Sequence, residues 1–152
     1  MEELEKITVA DMETISNAVL QMIKSYPELP ATLKKTVLWQ YLDKAESLGI
    51  YTMTGAVYLK KYISGSYIAQ FPFRIIYKCN PTTNNARMTK QNLLDKMGRW
   101  LEESCGATFK DAHITIQSIE RTSMVYKQDA DSSGYELYMC TMNIKYMYKK
   151  GW

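Results

Sequence analysis

The clearest structural pattern in the chain is Tyr67-Ile-Ala-Gln-Phe-Pro-Phe-Arg-Ile-Ile-Tyr-Lys78. Apolar residues recur there at every second position, while Gln70, Arg74 and Lys78 fall on the other face. This alternation predicts a β-strand that is buried on one side and faces water on the other. Because Pro72 has no backbone N–H to donate, it predicts a strand that lies at a sheet edge or is bulged there. The predicted buried face is Tyr67, Ala69, Phe71, Phe73, Ile75 and Tyr77.

A hairpin is predicted at the start of this strand. The short connection Ser64-Gly65 separates residues 56–63 from residues 66–78, and both arms are rich in strand-forming residues. A short Gly-containing connection between two such arms is typical of a β-hairpin.

A second hairpin is predicted to close the chain. Its strands cover about 112–127 and 135–149, with a turn at 129–134. The break in alternation between Ile116 and Ile119 indicates a bulge. Strands of this length extend beyond the body of a small domain, so we expect an extended hairpin with exposed edges. The predicted buried face of the last strand is Tyr138, Cys140, Met142, Ile144, Tyr146 and Tyr148.

Two segments have the apolar spacing of helices, about 9–26 and 88–104. Thr8 is a candidate N-cap for the first and Gly106 a candidate C-cap for the second. Residues 80–85 are predicted to form a surface turn. The apolar stripes, which predict helices packed on a sheet, are Val9, Met12, Ile15, Val19, Met22, Ile23 and Tyr26 in the first, and Leu93, Leu94, Met97, Trp100 and Leu101 in the second.

Residues 34–55 allow two interpretations. Segments 36–42 and 48–53 have the composition of two strands joined by a turn at 43–47, and the first could equally form a short helix. We take both as strands.

The order of elements predicts the fold class. Strands over about 36–78, a helix and a closing hairpin follow the first helix, without the βαβ alternation of parallel sheets. We therefore expect one α+β domain over residues 1–152, with two helices packed on one face of a mostly antiparallel sheet.

The charge balance is nearly even, with 19 basic and 16 acidic residues and a net charge of +3. That excess is too small to indicate a nucleic-acid-binding protein. The charges are unevenly placed, since residues 1–30 hold six acids and two bases, and residues 34–78 hold seven bases and two acids. Such a chain suits head-to-tail association of copies or docking on an acidic surface, and is equally typical of two solvated faces.

No apolar run approaches the roughly 20 residues that cross a bilayer. The N-terminus, Met1-Glu2-Glu3-Leu4-Glu5, is acidic. Both features argue against a transmembrane helix and a secretory signal, so we expect no membrane partner.

The sequence contains no motif of the common enzyme classes, since Gly-x-Gly-x-x-Gly, Walker A and Gly-x-Ser-x-Gly are all missing. Its three cysteines, Cys79, Cys105 and Cys140, form no Cys-x-x-Cys pair, which argues against a disulfide framework and a structural zinc site. A chain with free thiols is expected to work, or to be assembled, in a reducing cytoplasm. Cys140 is predicted to lie in the core. The single histidine, His113, lies on the polar side of a predicted strand, where a surface role is the more common one. We therefore expect no enzyme activity, no cofactor and no metal.

The chain resembles the tail terminator family, small minor capsid proteins of tailed bacteriophages and prophages. The resemblance covers nearly the whole chain and includes the first helix. The segments that carry it are Lys60-Lys-Tyr-Ile-Ser-Gly-Ser66, Phe71-Pro-Phe-Arg-Ile-Ile76, Asn92-Leu-Leu-Asp-Lys-Met-Gly-Arg-Trp-Leu-Glu102 and Thr141-Met-Asn-Ile-Lys-Tyr146.

The resemblance implies a virion protein, assembled in the bacterial cytoplasm, that acts by shape. Terminators form a ring of copies of themselves, usually a hexamer, on the head-proximal end of the tail tube. The ring stops further polymerisation of the tail tube protein and gives the head–tail connector protein a surface to join.

Exposure and charge, rather than any family motif, suggest the contact residues. They are Lys60, Lys61, Tyr62 and Ser64 on the first hairpin, with Asp129 and Asp131 on the second.

Three alternatives remain open. The first is a neighbouring neck or tail-completion protein. The second is a small α+β ligand-binding domain or an enzyme, with a deep pocket between helices and sheet. The third is RNA binding through sheet aromatics with Lys60, Lys61 and Arg74, which ranks last because the usual RNA-binding aromatic motif is missing.

Overall fold

The computed structural model describes residues 15–42, 46–54, 58–103, 114–128 and 134–149. Within them the protein is α+β, as predicted, with two helices and one additional helical turn packed against a seven-stranded, mostly antiparallel open sheet. The helices are α1 (described over 15–24), the single turn α2 (Ala31–Lys34) and α3 (Asn84–Glu103). The strands are β1 (Val37–Trp39), β2 (Ser47–Thr52), β3 (Tyr58–Lys61), β4 (Tyr67–Cys79), β5 (Ile114–Arg121), β6 (Tyr126–Gln128) and β7 (Glu136–Tyr148).

The two longest strands form the centre of the sheet. β4 and β7 pair antiparallel along their whole lengths, from Tyr67 opposite Tyr148 to Cys79 opposite Glu136. Two short strands share each outer side of this ribbon, because β2 and β3 both pair with β4, whereas β5 and β6 both pair with β7. The predicted bulge is present, as a register shift between Ile116 and Ser118 of β5.

Pro72 lies in a central strand and pairs in regular register with Asn143 of β7, so the prediction of an edge or a bulge at this residue is wrong. β3 pairs with β4 only as far as Ala69, and β2 begins its pairing at Phe73. Pro72 falls between them, and its carbonyl accepts a hydrogen bond from the N–H of Met53 at 3.0 Å. The missing N–H therefore faces a break between two flanking strands, where no ladder bond is lost.

The main core lies between the helices and the predicted apolar face of the ribbon. Alternate residues of β4 and β7 join the stripes of α1 and α3 in one buried cluster. Tyr26, two residues beyond the end of α1, contacts Trp100 of α3, and their ring centroids lie 5.4 Å apart. Both helices therefore cover the same face of the sheet. The largest side chains that are fully buried in the cluster are Tyr77, Phe73, Ile15, Met22, Ile23, Leu33, Leu48, Ile50, Ile75, Leu94, Met97 and Leu101.

Helix α3 begins at Asn84, four residues before the predicted start, so the end of the predicted turn at 80–85 is helical. The hydroxyl of Thr83 accepts a hydrogen bond from the N–H of Ala86 at 3.1 Å, as an N-cap residue does. For α1, the predicted residues 9–14 and Thr8 lie outside the described residues, as does Gly106.

The face of the sheet opposite the helices, called the second face, is more buried than predicted. Gln70 and Arg74 are half-buried, and Lys78 is buried. The Lys78 ammonium lies 5.0 Å from the ring centroid of Tyr135, so its charge rests on an aromatic face. The prediction that this side of β4 faces water is therefore wrong for its last residues.

A small apolar cluster explains this burial. Ile76 of β4 and Met139 of β7 are opposite each other, and each is only 4% exposed. Gly49 of β2 lies on the other side of Ile76. The backbone of Tyr41 and the side chain of Leu42 lie directly above Gly49. The segment that follows β1 therefore covers part of the second face.

The strands predicted over 36–42 and 48–53 are present as β1 and β2, but they pair in parallel, with Val37 opposite Leu48. The turn predicted between them therefore makes no hairpin. Gln40 holds the chain after β1 alongside β2, so the chain does not turn back directly into a hairpin. It has a φ of 57°, and its N–H donates to the carbonyl of Ile50 at 2.8 Å. Its side-chain amide also donates to the hydroxyl of Thr52 at 2.9 Å, which holds the chain against β2.

Candidate interaction surface

The turn of the first hairpin is built by the sequence Tyr62-Ile-Ser-Gly-Ser66. The N–H of Tyr62 donates to the carbonyl of Ser66 at 2.9 Å, and the N–H of Gly65 donates to the carbonyl of Tyr62 at 3.0 Å. Gly65 has a φ of 95°, a conformation that residues with a side chain rarely adopt. The turn is therefore closed by backbone hydrogen bonds, which leave the side chains of its apex available for contacts.

The exposed surface of this hairpin is called the hairpin tip and comprises residues 59–64. Ile63 is fully exposed, Leu59 is 46% exposed and Tyr62 is 38% exposed. Lys60, Lys61 and Ser64 are exposed beside them. The hairpin tip thus combines apolar and cationic side chains in six consecutive residues.

Four of the six predicted contact residues lie together in the hairpin tip, namely Lys60, Lys61, Tyr62 and Ser64. The other two, Asp129 and Asp131, lie outside the described residues.

The two lysines of the hairpin tip lie on opposite faces of the hairpin. Lys60 is opposite Ile68 and Lys61 is opposite Tyr67, and successive residues of a strand point to opposite faces. The ammonium of Lys61 lies 4.3 Å from the ring centroid of Tyr58. The ammonium of Lys60 lies 5.2 Å from the ring centroid of Tyr62. Each lysine is therefore held near a tyrosine ring, a cation–π arrangement.

The base of the hairpin is packed by three aromatic rings. The ring of Tyr67 meets that of Tyr58 edge-on at 4.9 Å, and stacks on that of Tyr148 at 5.1 Å. Such contacts contribute beyond simple burial. The hairpin tip is consequently presented from a well-packed base, beside a cleft of about 200 Å³ lined by Tyr58, Lys61, Tyr62, Gly65, Ser66 and Tyr67.

A separate groove of about 350 Å³ lies where the end of α1 meets α3, lined by Tyr26, Pro27, Glu28, Lys96, Arg99 and Trp100. The hydroxyl of Tyr26 donates to a carboxylate oxygen of Glu28 at 2.8 Å. Burial and this hydrogen bond raise the pKa of Tyr26 to about 12. The groove is therefore aromatic with a charged rim, and it lies at the helix ends rather than between helices and sheet.

The described cysteines have the environment of core residues. Cys79 and Cys140 are fully buried, which confirms the prediction for Cys140. Burial raises the pKa of the Cys79 thiol to about 12 and that of the Cys140 thiol to about 11. Since the thiolate is the nucleophile, these two thiols are poorly suited to covalent chemistry. Cys105 and His113 lie outside the described residues.

Two other kinds of site are absent from the part of the chain that the structure describes. No group of three or more His, Cys, Asp and Glu side chains there could hold a metal ion. None of the described helices is long and apolar enough to cross a membrane.

Glu136 is a buried carboxylate that joins three elements. Its side chain is 7% exposed and forms ion pairs with the ammonium of Lys127 at 2.7 Å and with the guanidinium of Arg87 at 3.1 Å. The Lys127 hydrogen bond lowers the pKa of Glu136 below its ordinary value, and Arg87 adds to this against the opposing effect of burial. The carboxylate therefore links β7 to β6 and to the first turn of α3.

We expect Glu136→Gln to lower the free energy of unfolding by about 1–2 kcal/mol at pH 7, since hydrogen bonds to charged groups are lost. The lowered pKa of Glu136 means that its contribution is complete above the unfolded-state value of about 4.5 and disappears as the pH falls through the folded-state pKa. Urea unfolding at several pH values should show a shallower loss of stability below this value in the variant than in the wild type.

The control for this prediction is Glu103→Gln, at an exposed position of α3. It should leave both the stability at pH 7 and its pH dependence unchanged. Parallel curves for Glu136→Gln and the wild type would contradict the assigned role of Glu136.

Comparisons with known proteins bear on the fold. No family model matches the chain, and no curated protein matches it. Among solved structures, 19 chains are similar. One of them, a protein whose name describes no activity, aligns with a TM-score of 0.51 and 11% sequence identity over 92% of this chain and 98% of its own. At this identity the similarity supports a shared α+β fold, and fold alone does not imply function.

Proposed function

We propose that this chain is a virion structural protein of a tailed bacteriophage or prophage, a tail terminator that acts without chemistry. Copies of the chain form a ring, usually a hexamer, on the end of the completed tail tube. One side of the ring matches the end of the tube and the other does not, so polymerisation of the tail tube protein stops. The free side then offers a surface to the head–tail connector protein.

The observation that carries the proposal is the hairpin tip. Ile63 is fully exposed at its apex, and Leu59, Lys60 and Lys61 are exposed in the strand that leads to it from a base packed by aromatic rings. Exposed apolar side chains grouped with aromatic and cationic residues are typical of protein–protein contact sites. A protein whose work is surface matching needs such a projection. The resemblance of the sequence segments and the α+β fold are consistent with this role.

The test uses purified tail tube protein from the same phage or prophage, polymerising in the presence of this protein. We expect saturating protein to arrest elongation, giving tubes of limited length with a ring at one end in electron micrographs. Tubes that continue to elongate at saturation would rule the proposal out. A neck or tail-completion protein would instead bind the isolated connector and leave elongation unchanged, so the same assay separates this alternative.

The groove beside Trp100 favours one candidate from another class, a small ligand-binding domain. Its aromatic wall and Lys96 suit an aromatic carboxylic acid, with Arg99 nearby but paired with Asp95 at 3.3 Å. Saturable quenching of tryptophan fluorescence by such acids, lost in Trp100→Phe, would support this candidate. Equal quenching in both proteins would exclude the groove as the site.

A further inference from the structure

We infer that the hairpin tip inserts into a crevice of its partner that has carboxylates on both walls and an apolar floor. This deepens the proposed function and rests on it, since the partner is the end of the tail tube. The inference follows from how the charges and the apolar side chains of the hairpin tip are distributed.

The first argument is that the cations lie on both faces. Lys60 and Lys61 are consecutive in β3 and so point to opposite sides of the hairpin. A flat acidic surface could reach only one of them at close range. Two acidic walls, one on each side of the hairpin, satisfy both lysines at once.

The second argument is that these two charges are not used within the described fold. Among the described residues, Arg87, Lys90, Arg99, Arg121 and Lys127 are paired with carboxylates at 2.6–3.3 Å, whereas other exposed lysines, such as Lys34 and Lys35, have no such pair. No ion pair among the described residues involves Lys60 or Lys61; their recorded contacts are with tyrosine rings. Charges that complement those of a partner speed association and fix the register in which the two proteins bind.

The third argument concerns the apex. Ile63 is fully exposed in the turn of the hairpin, and Leu59, four residues earlier in β3, is 46% exposed. A projecting aliphatic side chain between two cationic faces fits an apolar hole at the bottom of an acidic crevice. Nucleic acid offers phosphates but no such hole. A membrane surface needs a larger apolar area for binding than these two side chains provide.

The inference is tested with four variants of the full chain: Lys60→Glu, Lys61→Glu, the double variant, and Ile63→Asp. The matched controls are Lys35→Glu and Met124→Asp, at exposed positions outside the hairpin tip. Circular dichroism establishes that each variant is folded. Binding to purified tail tubes is measured by co-sedimentation at two salt concentrations, and self-association by light scattering.

We expect each single lysine reversal to weaken tube binding about tenfold, with a larger loss in the double variant and in Ile63→Asp. Wild-type binding should weaken at high salt, while both controls bind as the wild type does. A lysine reversal without effect would overturn the two-walled crevice. Loss of self-association in place of tube binding would overturn the tube as the occupant, and equal binding to anionic phospholipid vesicles would overturn a protein crevice.

The two proposals fail in different ways. If the wild type arrests elongation and all four variants do so equally, the crevice is wrong and the terminator role stands. If tube binding depends on the hairpin tip but elongation is not arrested, the crevice stands and the terminator role is wrong. If the wild type does not sediment with tubes at all, both are wrong.

Discussion

Replacing Phe73 with alanine is expected to lower the free energy of unfolding by about 3–5 kcal/mol, the usual cost of removing a buried aromatic ring. Phe73 is 1% exposed and lies on the helix-covered face of β4. It is opposite Thr52 of β2 and Met142 of β7, so both neighbouring strands are fixed by backbone pairing at this position. The surroundings can therefore collapse only partly into the space that the ring leaves. Urea unfolding followed by far-ultraviolet circular dichroism measures the change.

Two variants make this test specific. Phe73→Leu keeps much of the volume and should cost less than Phe73→Ala. Ile63→Ala, at the fully exposed apex of the hairpin tip, should change stability by no more than about 0.5 kcal/mol. If Phe73→Ala were as mild as Ile63→Ala, the assignment of this face of β4 to the main core would be wrong.

The part of the fold that the sequence predicts well is the part set by local periodicity. Alternation fixed which residues of β4 and β7 meet the helices, because a strand has only two faces and one must exclude water. The spacing of Leu94, Met97 and Leu101 placed α3 against them, and these residues are buried. Both patterns depend on neighbours within a few residues, which the sequence displays directly.

The errors have a common cause, which is packing between distant segments. The alternation in β4 cannot show that Tyr41 and Leu42 return over the second face of the sheet. The prediction from Pro72 assumed one continuous neighbouring strand, whereas β3 and β2 divide that side between them. A parallel pair such as β1 and β2 likewise depends on the path of the connection and not on the composition of either strand.

The candidate site was predicted in part. Exposed charge and a Gly-containing turn were sufficient to select Lys60, Lys61, Tyr62 and Ser64. Leu59 and Ile63 were missed, since an aliphatic residue in a strand is by default assigned to the core. A signal was nevertheless present: Ile63 directly precedes the Ser64-Gly65 turn, where a side chain has no sheet to pack against. The arrangement of the two lysines over separate tyrosine rings required coordinates.

Replacing Gly49 with alanine is expected to lower the free energy of unfolding by about 1–3 kcal/mol, the usual cost of overpacking. A Cβ atom at Gly49 would lie 2.8 Å from the carbonyl oxygen of Tyr41, 2.8 Å from the ring of Tyr51 and 2.9 Å from the side chain of Leu42. The Tyr41 oxygen belongs to the backbone, and the preceding residue, Gln40, is bonded to β2 through its N–H and its side chain. The covering segment therefore cannot move away without losing those hydrogen bonds.

The control for Gly49 is Gly98→Ala, in the middle of α3. There the closest atom to the new Cβ, at 2.8 Å, is a methylene carbon of Arg121, a side chain rather than backbone, although its guanidinium is held by Asp95 at 2.6 Å and Glu102 at 2.7 Å. Alanine also has the higher helix propensity, by about 0.5–1 kcal/mol, so this variant should be the milder of the two. Adding Leu42→Ala to Gly49→Ala removes one close contact but leaves the Tyr41 oxygen, so stability should recover only in part. Full recovery in the double variant would mean that the side chain of Leu42, and not the backbone of the covering segment, requires glycine at this position.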